Sequence, residues 1–546
     1  MRSIKSFRNS YFLVVFLSLL PLFNLSHPGL PITHDGIDHV ARVANFYADL
    51  SQGIFIPRWA SNLNWGYGHP ILMFLYPLSS YFTSLFHFVG FSFIDSLKLV
   101  FAVSYILSGI FMFAWLKNFL GEKAGLVGAV LYLFAPYRFV DLYVRGAIGE
   151  HMAFVFLPLV LYGIYKINKN KLSYSLFLLT SFSFAGLVLS HNAISLIFIP
   201  FILFYIFYLY FEERSNSKII LALSSLFLGL LFSFFFWFPA FMEGKYTLRD
   251  IVTKGVYQAG FIDPKSLIVS RWGFGNTGGF SLEIGTPHIL LSFFSLLLVF
   301  KKFGKKDNLK ILLLGSFVFG IASVFLMTYQ SHLIWEKVTI LQKLQFPWRF
   351  LSMTVFLTSL IGAIAVYKLN LSKLKVRLLI ILTILITLSY WHPKSYQVFP
   401  QSLFVNPYPS TTDTGESAPI WSVRFMEKFP KDQIELISGN AEIKKVSRKV
   451  NDHKYIINNS EKVRVKENTL YFPGWVVYDN GKLINIQFQD PKNRGLITFY
   501  LEAGIHNVSV RFEETKLRSL SNIVSIAFLL SSLILFLFLK LLKNKI

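Results

Sequence analysis

The chain has 546 residues, 54% hydrophobic and 17% aromatic but only 15% charged, with a formal net charge of +24. A soluble globular enzyme carries about a quarter charged residues, so that class is excluded; a mean hydropathy of +0.52, with basic residues set between apolar runs, excludes a nucleic-acid binder too. There is no cysteine, which rules out disulfides, thiolate metal sites and a cysteine nucleophile and leaves carboxylates, His, Arg and hydroxyls for any chemistry.

Twelve apolar stretches are long enough, or nearly so, to cross the membrane: near 10–25, 96–116, 123–137, 151–166, 172–190, 193–211, 218–240, 286–301, 309–328, 346–368, 376–391 and 519–540. Each crossing of about 30 Å of hydrocarbon takes roughly 20 helical residues. The first follows a basic segment like that of a signal peptide, but Asn24-Leu25-Ser26-His27 offers no small-x-small cleavage site, so an uncleaved anchor is expected. Basic residues cluster at Arg2/Lys5/Arg8, Lys117/Lys123, Lys166/Lys169/Lys171, Arg214/Lys218, Lys301/Lys302/Lys305/Lys306/Lys310, Lys368/Lys373/Lys375/Arg377 and Lys540/Lys543/Lys545. All fall on one side if both termini are cytoplasmic, as in a multi-pass protein of the cell membrane in contact with its lipids. Residues 70–90 are apolar enough to span, yet a crossing there would invert every later cluster. Pro70 and Pro77 therefore predict a re-entrant or interfacial segment on the outer side.

Four outer segments result: 26–95, 137–150, 241–286 and 392–518. The distal part of the last reads as strands. Tyr471–Tyr478 leads through Asp479-Asn480-Gly481, a type I′ turn, into Leu483–Phe488, and Leu496–Leu501 with Ile505–Phe512 reads as a second pair. The predicted fold is an all-α polytopic bundle with a small extracytoplasmic β-sandwich, held by the last span. Its domains are residues 1–391, with the first outer loop at 26–95, then 392–518, then the 519–546 anchor and tail.

The stretch after the first span, Thr33-His34-Asp35-Gly36-Ile37-Asp38-His39, opens a predicted amphipathic helix at the membrane surface. Asp38, Arg42, Asn45 and Asp49 share one stripe and Ile37, Ala41, Ala44 and Ala48 another. Free N–H groups at its start favour an anion such as a phosphate. Asp35 and Asp38 could take a proton from an attacking hydroxyl or hold Mg²⁺ or Mn²⁺ through oxygen; otherwise Asp35 is an N-cap and Asp38 pairs with Arg42. Further along, Arg138, Asp141 and Arg145 fall on one helical face before Glu150, suited to a phosphate or to a salt-bridge staple. His191-Asn192 joins two spans almost without a loop, and Arg349 in Pro347-Trp348-Arg349 could reach a lipid phosphate or snorkel. Arg58-Trp59 and Trp65–His69 add aromatic faces suited to sugars or to a membrane interface. By charge, all these groups face the same leaflet.

These residues resemble the polytopic membrane proteins named pyruvoyl-tetrahydropterin synthase-related, and are similar to the YfhO-type relatives within the GT-C glycosyltransferase class. The resemblance rests on His34-Asp35-Gly36-Ile37-Asp38-His39, Gly66-Tyr67-Gly68-His69-Pro70 with Tyr76-Pro77-Leu78, Ala135-Pro136-Tyr137-Arg138 through Arg145-Gly146-Ala147 and Glu150, His191-Asn192, Pro347-Trp348-Arg349, and Pro473-Gly474-Trp475 with Asp479-Asn480-Gly481. It implies a GT-C-like fold and inverting transfer of a sugar from a polyprenyl-phosphate donor to an extracytoplasmic glycan, lipid or protein. Asp35 or Asp38 would be catalytic, or a metal ligand. His34, His39, Arg42, Arg58, Arg138, Asp141, Arg145, Glu150, His191 and Arg349 would bind substrate. No pterin-synthase activity is implied, since the His residues are scattered over membrane loops. The alternatives are a lipid or polysaccharide translocator and an envelope-assembly scaffold.

Overall fold

The computed structural model of the chain describes residues 2–171, 173–276, 279–301 and 307–543; the predicted basic positions Lys302, Lys305, Lys306 and Lys545 lie outside them. Among the described residues seven helices are long and apolar enough to cross a membrane, and a bent pair makes an eighth. The 41-residue helix Phe93–Leu133 holds two predicted spans joined at Gly121, whose φ of +80° a residue with a Cβ rarely adopts. Two shorter apolar helices, Tyr174–Ser190 and Thr286–Leu298, and the 15-residue Lys373–Thr387 occupy the remaining predicted stretches.

One predicted span is not straight. Asn216–Phe232 and Phe234–Tyr246 meet at 67°. Ser525 Oγ from the last helix is inserted at this break, accepting from Phe235 N at 2.8 Å and donating to Leu231 O at 2.9 Å. Residues 70–90 form two short helices, Ile71–Phe74 and Leu78–Phe88. At 1.5 Å per residue the 11-residue helix Leu78–Phe88 covers about 16 Å, half of what a crossing needs.

The lysine-bearing helix ends gather at one face. Lys123 Nζ donates to Leu371 O at 2.7 Å, Lys169 bridges Glu212 and Glu213, Lys218 reaches Asn168 O, and Lys368 pairs with Asp307. The opposite face carries the β-structure. There β1 (Leu30–Pro31) and β2 (Tyr396–Gln397) form a small antiparallel ribbon that ties the start of the first loop to the chain leaving the bundle.

The sandwich comprises β3 (Ile434–Ser438), β4 (Ala441–Arg448), β5 (Asp452–Asn459), β6 (Val463–Leu470), β7 (Trp475–Asp479), β8 (Lys482–Ile484), β9 (Leu496–Leu501) and β10 (Gly504–Phe512). One sheet has the order β4-β5-β10-β7-β8 and the other β3-β6-β9. The β7–β8 hairpin turns at Asn480 and Gly481, both at positive φ as a type I′ turn requires. The second predicted pair does not form: β9 pairs with β6, whereas β10 lies between β5 and β7. Each carries apolar residues that need cover, and placing the strands in facing sheets buries Ile497 and Phe499 together with Val508 and Val510.

Inside the sandwich the buried Glu467 carboxylate accepts from Arg448 at 2.8 Å, His453 at 3.0 Å, Tyr455 at 2.6 Å and Thr469 at 3.0 Å. Burial works to raise its pKa, but His453, Arg448 and Tyr455 hold it below the usual carboxylate value. Glu467→Gln is expected to cost about 3–5 kcal/mol, read as a lower melting temperature of the detergent-solubilised protein. Because the folded pKa is depressed, that stabilisation is present above the unfolded value of about 4.3 and is lost as pH falls through the folded value. The gap between wild type and variant should therefore close in acid.

The sandwich is clamped to the bundle. Fully buried Arg518 donates Nε to Glu243 at 2.7 Å and Nη2 to Pro473 O at 2.6 Å. Trp59, 1% exposed, packs edge-on against Trp475, and Gly68 brings its backbone so near the Trp59 ring that a Cβ would lie 2.5 Å from it. Trp59 is thus a docking residue rather than a sugar-stacking face. Arg518→Ala would strand the buried Glu243 charge and is expected to cost about 3–5 kcal/mol. Faster limited proteolysis within 392–433 would report the loosened sandwich.

Candidate functional site

The helix Gly36–Ser51 forms where predicted but does not lie open on the surface. Arg42, Asn45 and Asp49, on its expected polar stripe, are all buried. Two segments cover that stripe. Asn62 N donates to Asn45 Oδ1 at 2.9 Å, and the 405–417 strap crosses beside it, with Tyr408 N on Asn62 O at 2.7 Å and Asn64 N on Ser410 O at 2.8 Å. Arg42 therefore donates Nε to Thr412 Oγ1 at 2.9 Å and Nη1 to His39 Nδ1 at 3.2 Å, and makes no pair with Asp38.

The first and second sequence motifs are stitched together. His34 N donates to Val144 O and Asp35 N to Arg145 O, each at 2.9 Å, and Gly146, at φ +67°, leaves room where a Cβ would meet Thr33 Oγ1 at 2.3 Å. Asp35 holds the N-cap position, yet its side chain accepts no cap hydrogen bond. Both Asp35 and Asp38 are half-buried and, among the described residues, their carboxylates have no hydrogen-bond or ion-pair partner. Burial raises the Asp38 carboxyl, Arg42 works against this, and the negative charges of Asp35 and Asp413 add to it. His34 lies at the rim, its Nε2 3.3 Å from Phe274 O.

The segment expected to present Arg138, Asp141 and Arg145 on one α-helical face is a π-helical turn, Val140–Arg145, and its wider register separates them. Arg145 Nη1 donates to Asp141 at 2.5 Å, Glu150 at 2.7 Å and Tyr137 at 3.1 Å, with its guanidinium 4.4 Å from the Trp348 ring centroid. Burial and the Glu150 charge lift the Asp141 carboxyl well above its usual range. Arg138 turns away, fully buried among Tyr105, Tyr132 and Phe154 with Nη2 on Ser108 at 3.1 Å. Held in this aromatic box, it does not share a face with Asp141 and Arg145, contrary to the sequence expectation. Arg58 is also elsewhere, reaching Glu514 at 3.3 Å and Asn522 and Phe235 O at 3.0 Å in the clamp under the sandwich.

Arg349 is different. It is half-buried, donates only to Leu344 O at 2.6 Å and Gln345 Oε1 at 3.4 Å, and has no carboxylate within ion-pair distance among the described residues. His191, the single residue between helices Tyr174–Ser190 and Asn192–Glu213, caps the second through Nδ1 at 3.3 Å. Burial, Arg349 and Arg145 keep its imidazole neutral; burial, Arg42 and Arg145 do the same for His39.

Sequence reasoning missed the residue at the middle. Tyr76 stacks on His191 at 4.8 Å, and Gly149 makes room for it, since a Cβ there would lie 2.0 Å from the ring. Its electrostatic neighbours are Arg42, Asp35, Arg349 and Arg145, and burial pushes the phenol up to about 12, so it stays a donor. His69, Thr412, Asp413 and Glu416 were missed as well. Of these only the motif containing His69 gave a signal, because the strap lies more than 300 residues from Asp35 in sequence. Together, partly exposed Asp35, Asp38, Tyr76, Arg349 and Asp413 and buried His39, Arg42, His69, Arg145 and His191 form one charged cluster, joined by the Arg42–His39 and Tyr76–His191 contacts and by the electrostatic neighbours they share. Among the described residues no three His, Asp or Glu converge to hold a metal ion. Asp35 and Asp38 alone do not make such a group.

The fold and this site define a multi-pass membrane protein with a cluster of charged residues on the face that carries its β-sandwich. Residues 72–395 match the 6-pyruvoyl-tetrahydropterin synthase related domain of membrane proteins, and the chain belongs to that family. An uncharacterized protein of Lactococcus lactis subsp. cremoris (strain MG1363) is 29% identical over 238 residues, a match covering 42% of this chain and 39% of that protein. Among solved structures the chain is similar to the arabinofuranosyltransferase AftD from Mycobacteria, with 14% identity, TM-score 0.44, and 70% of this chain and 26% of that one covered. It is also similar to ArnT from Cupriavidus metallidurans bound to undecaprenyl phosphate, with 11% identity, TM-score 0.32, and 65% and 76% covered.

Proposed function

We propose that the chain is an integral membrane glycosyltransferase that moves a sugar from a polyprenyl-phosphate donor to an acceptor hydroxyl on the outer side of the cell membrane, with both termini cytoplasmic. One observation carries the reading: two carboxylates without side-chain partners, Asp35 and Asp38, share a partly buried cluster around Tyr76 with a cation without a carboxylate, Arg349. Opposed charges left uncompensated at such depth cost stability, and chemistry is what retains them.

In this mechanism Asp38, made more basic by burial and by Asp35, takes the acceptor O–H proton. The acceptor oxygen bonds to the anomeric carbon from the face opposite the donor oxygen, inverting it. The carbon–oxygen bond to the phosphate breaks with its electron pair leaving on the polyprenyl phosphate. Arg349 and the Tyr76 O–H stabilise that charge. Arg145, already engaged by Asp141 and Glu150, holds the π-turn and the Asp35 backbone in place.

The test is release of undecaprenyl phosphate from a panel of undecaprenyl-phosphate sugars by the purified full chain in the presence of a cell-envelope extract. Release with at least one sugar is expected, and no release with any would overturn the reading. Removing 392–518 does not separate a transferase from a scaffold, because the strap that carries Thr412 and Asp413 goes with it.

A further inference from the structure

We propose that His69, Asp413 and Thr412, together with Asp38, His39 and Arg42, form a subsite for an uncharged, hydroxyl-rich sugar on the acceptor side of the charged cluster. This rests on the sugar-transfer reading above and adds the class of group that the base meets.

The strap is held as a built wall. Its Thr412 adopts a left-handed φ of +65°, unusual for a β-branched residue, while its hydroxyl accepts from Arg42. The Asp413 carboxylate is oriented by two backbone donors, Gly415 N on Oδ1 at 2.8 Å and Ser417 N on Oδ2 at 3.0 Å, and each oxygen keeps accepting capacity.

Near it is His69, 0% exposed, with Asp413 and Arg42 as its charged neighbours and neither ring nitrogen hydrogen-bonded. His39 accepts from Arg42 through Nδ1, which leaves its buried Nε2 unpartnered as well. Buried polar atoms are almost always satisfied, so three unpaired ring nitrogens around two carboxylates call for a ligand that both donates and accepts. A neutral imidazole offers one N–H and one bare nitrogen, and a carboxylate offers only acceptors. Vicinal hydroxyls of a sugar answer both demands.

An anion does not suit this side. Two carboxylates, Asp38 and Asp413, outnumber the one guanidinium, Arg42, and the imidazoles are neutral. The cation without an ion pair, Arg349, is instead the first charged neighbour of His191. A phosphate would thus be drawn to Arg349 and a polyol to the His69–Asp413 group, with Tyr76, whose charged neighbours are Arg42, Asp35 and Arg349, between them and Asp38 beside Asp35.

The test uses the full chain in detergent, saturation-transfer NMR with a panel of neutral methyl glycosides, and, separately, the thermal shift produced by undecaprenyl phosphate. Wild type should bind at least one methyl glycoside. Asp413→Asn, His69→Gln and Thr412→Val should each weaken that binding by about 10-fold or more while leaving the undecaprenyl phosphate shift unchanged. Arg349→Ala should show the reverse. Three variants on two chain segments guard against one that fails to fold, recognised by its melting temperature. Glycoside binding unaffected in every folded variant would overturn the subsite. So would a wild type that responds to undecaprenyl phosphate and to no glycoside, which leaves the transfer reading standing. Loss of both responses in wild type would overturn both.

Discussion

Asp38→Asn is expected to lower turnover by about 10²- to 10⁴-fold, the usual contribution of a positioned general base, with little change in melting temperature. The fold should tolerate it because Asp38 accepts no hydrogen bond and makes no ion pair: Arg42, its natural partner at i+4, is committed to His39 and Thr412. The pH profile gives an independent check. Burial is the main cause of the raised Asp38 value, and Asp35 adds to it. The base works only when ionised, so kcat/KM should rise with pH through that value. Asp35→Asn removes a like charge, favours the ionised form and should move the acidic limb to lower pH while activity above it persists. Loss of turnover in Asp35→Asn with an unaffected Asp38→Asn would exchange the two roles, and full activity in both would remove the base from this helix.

Arg349→Ala is expected to cost about 10²- to 10³-fold in turnover, as does removal of one donor to a developing anion. The loss should appear equally in kcat and kcat/KM if the interaction strengthens only as the phosphate departs. Arg349 suits this test better than Arg145. Alanine at 145 would leave Asp141 and Glu150 buried without their cation, a defect of folding more than of chemistry. Arg349 has no such dependants. Arg349→Lys should recover part of the loss, since a point charge replaces a planar fork. Wild-type turnover in Arg349→Ala would exclude it from leaving-group stabilisation.

The bundle was legible in the sequence because a membrane span is a local property, a run of about 20 apolar residues bounded by charge. The segment 70–90 shows how far that logic reaches: two prolines and the alternation of lysine clusters marked it as non-spanning, and its helices have only 4 and 11 residues. The candidate base was legible for a similar reason, since Asp35 and Asp38 stand within one helical turn. What failed was any inference about direction. Arg138, Asp141 and Arg145 have α-helical spacing, but a π-turn, visible only in the hydrogen-bond pattern, sends Arg138 into an aromatic box and Arg145 toward Glu150. The polar stripe of the Gly36–Ser51 helix failed similarly: amphipathicity marks a polar face, while what covers that face depends on a strap encoded far away.

The sequence by itself determined the apolar stretches that become the bundle, the β-hairpin at Asn480-Gly481 and the two aspartates, because each depends on neighbours a few residues apart. Tertiary structure alone decided that β9 and β10 lie in different sheets, that Tyr76 takes the centre of the charged cluster in the space left by Gly149, and that Thr412 and Asp413 belong to it. Those outcomes rest on burial and hydrogen-bond satisfaction between segments up to several hundred residues apart. Composition and periodicity carry no information about such pairings until the chain has folded.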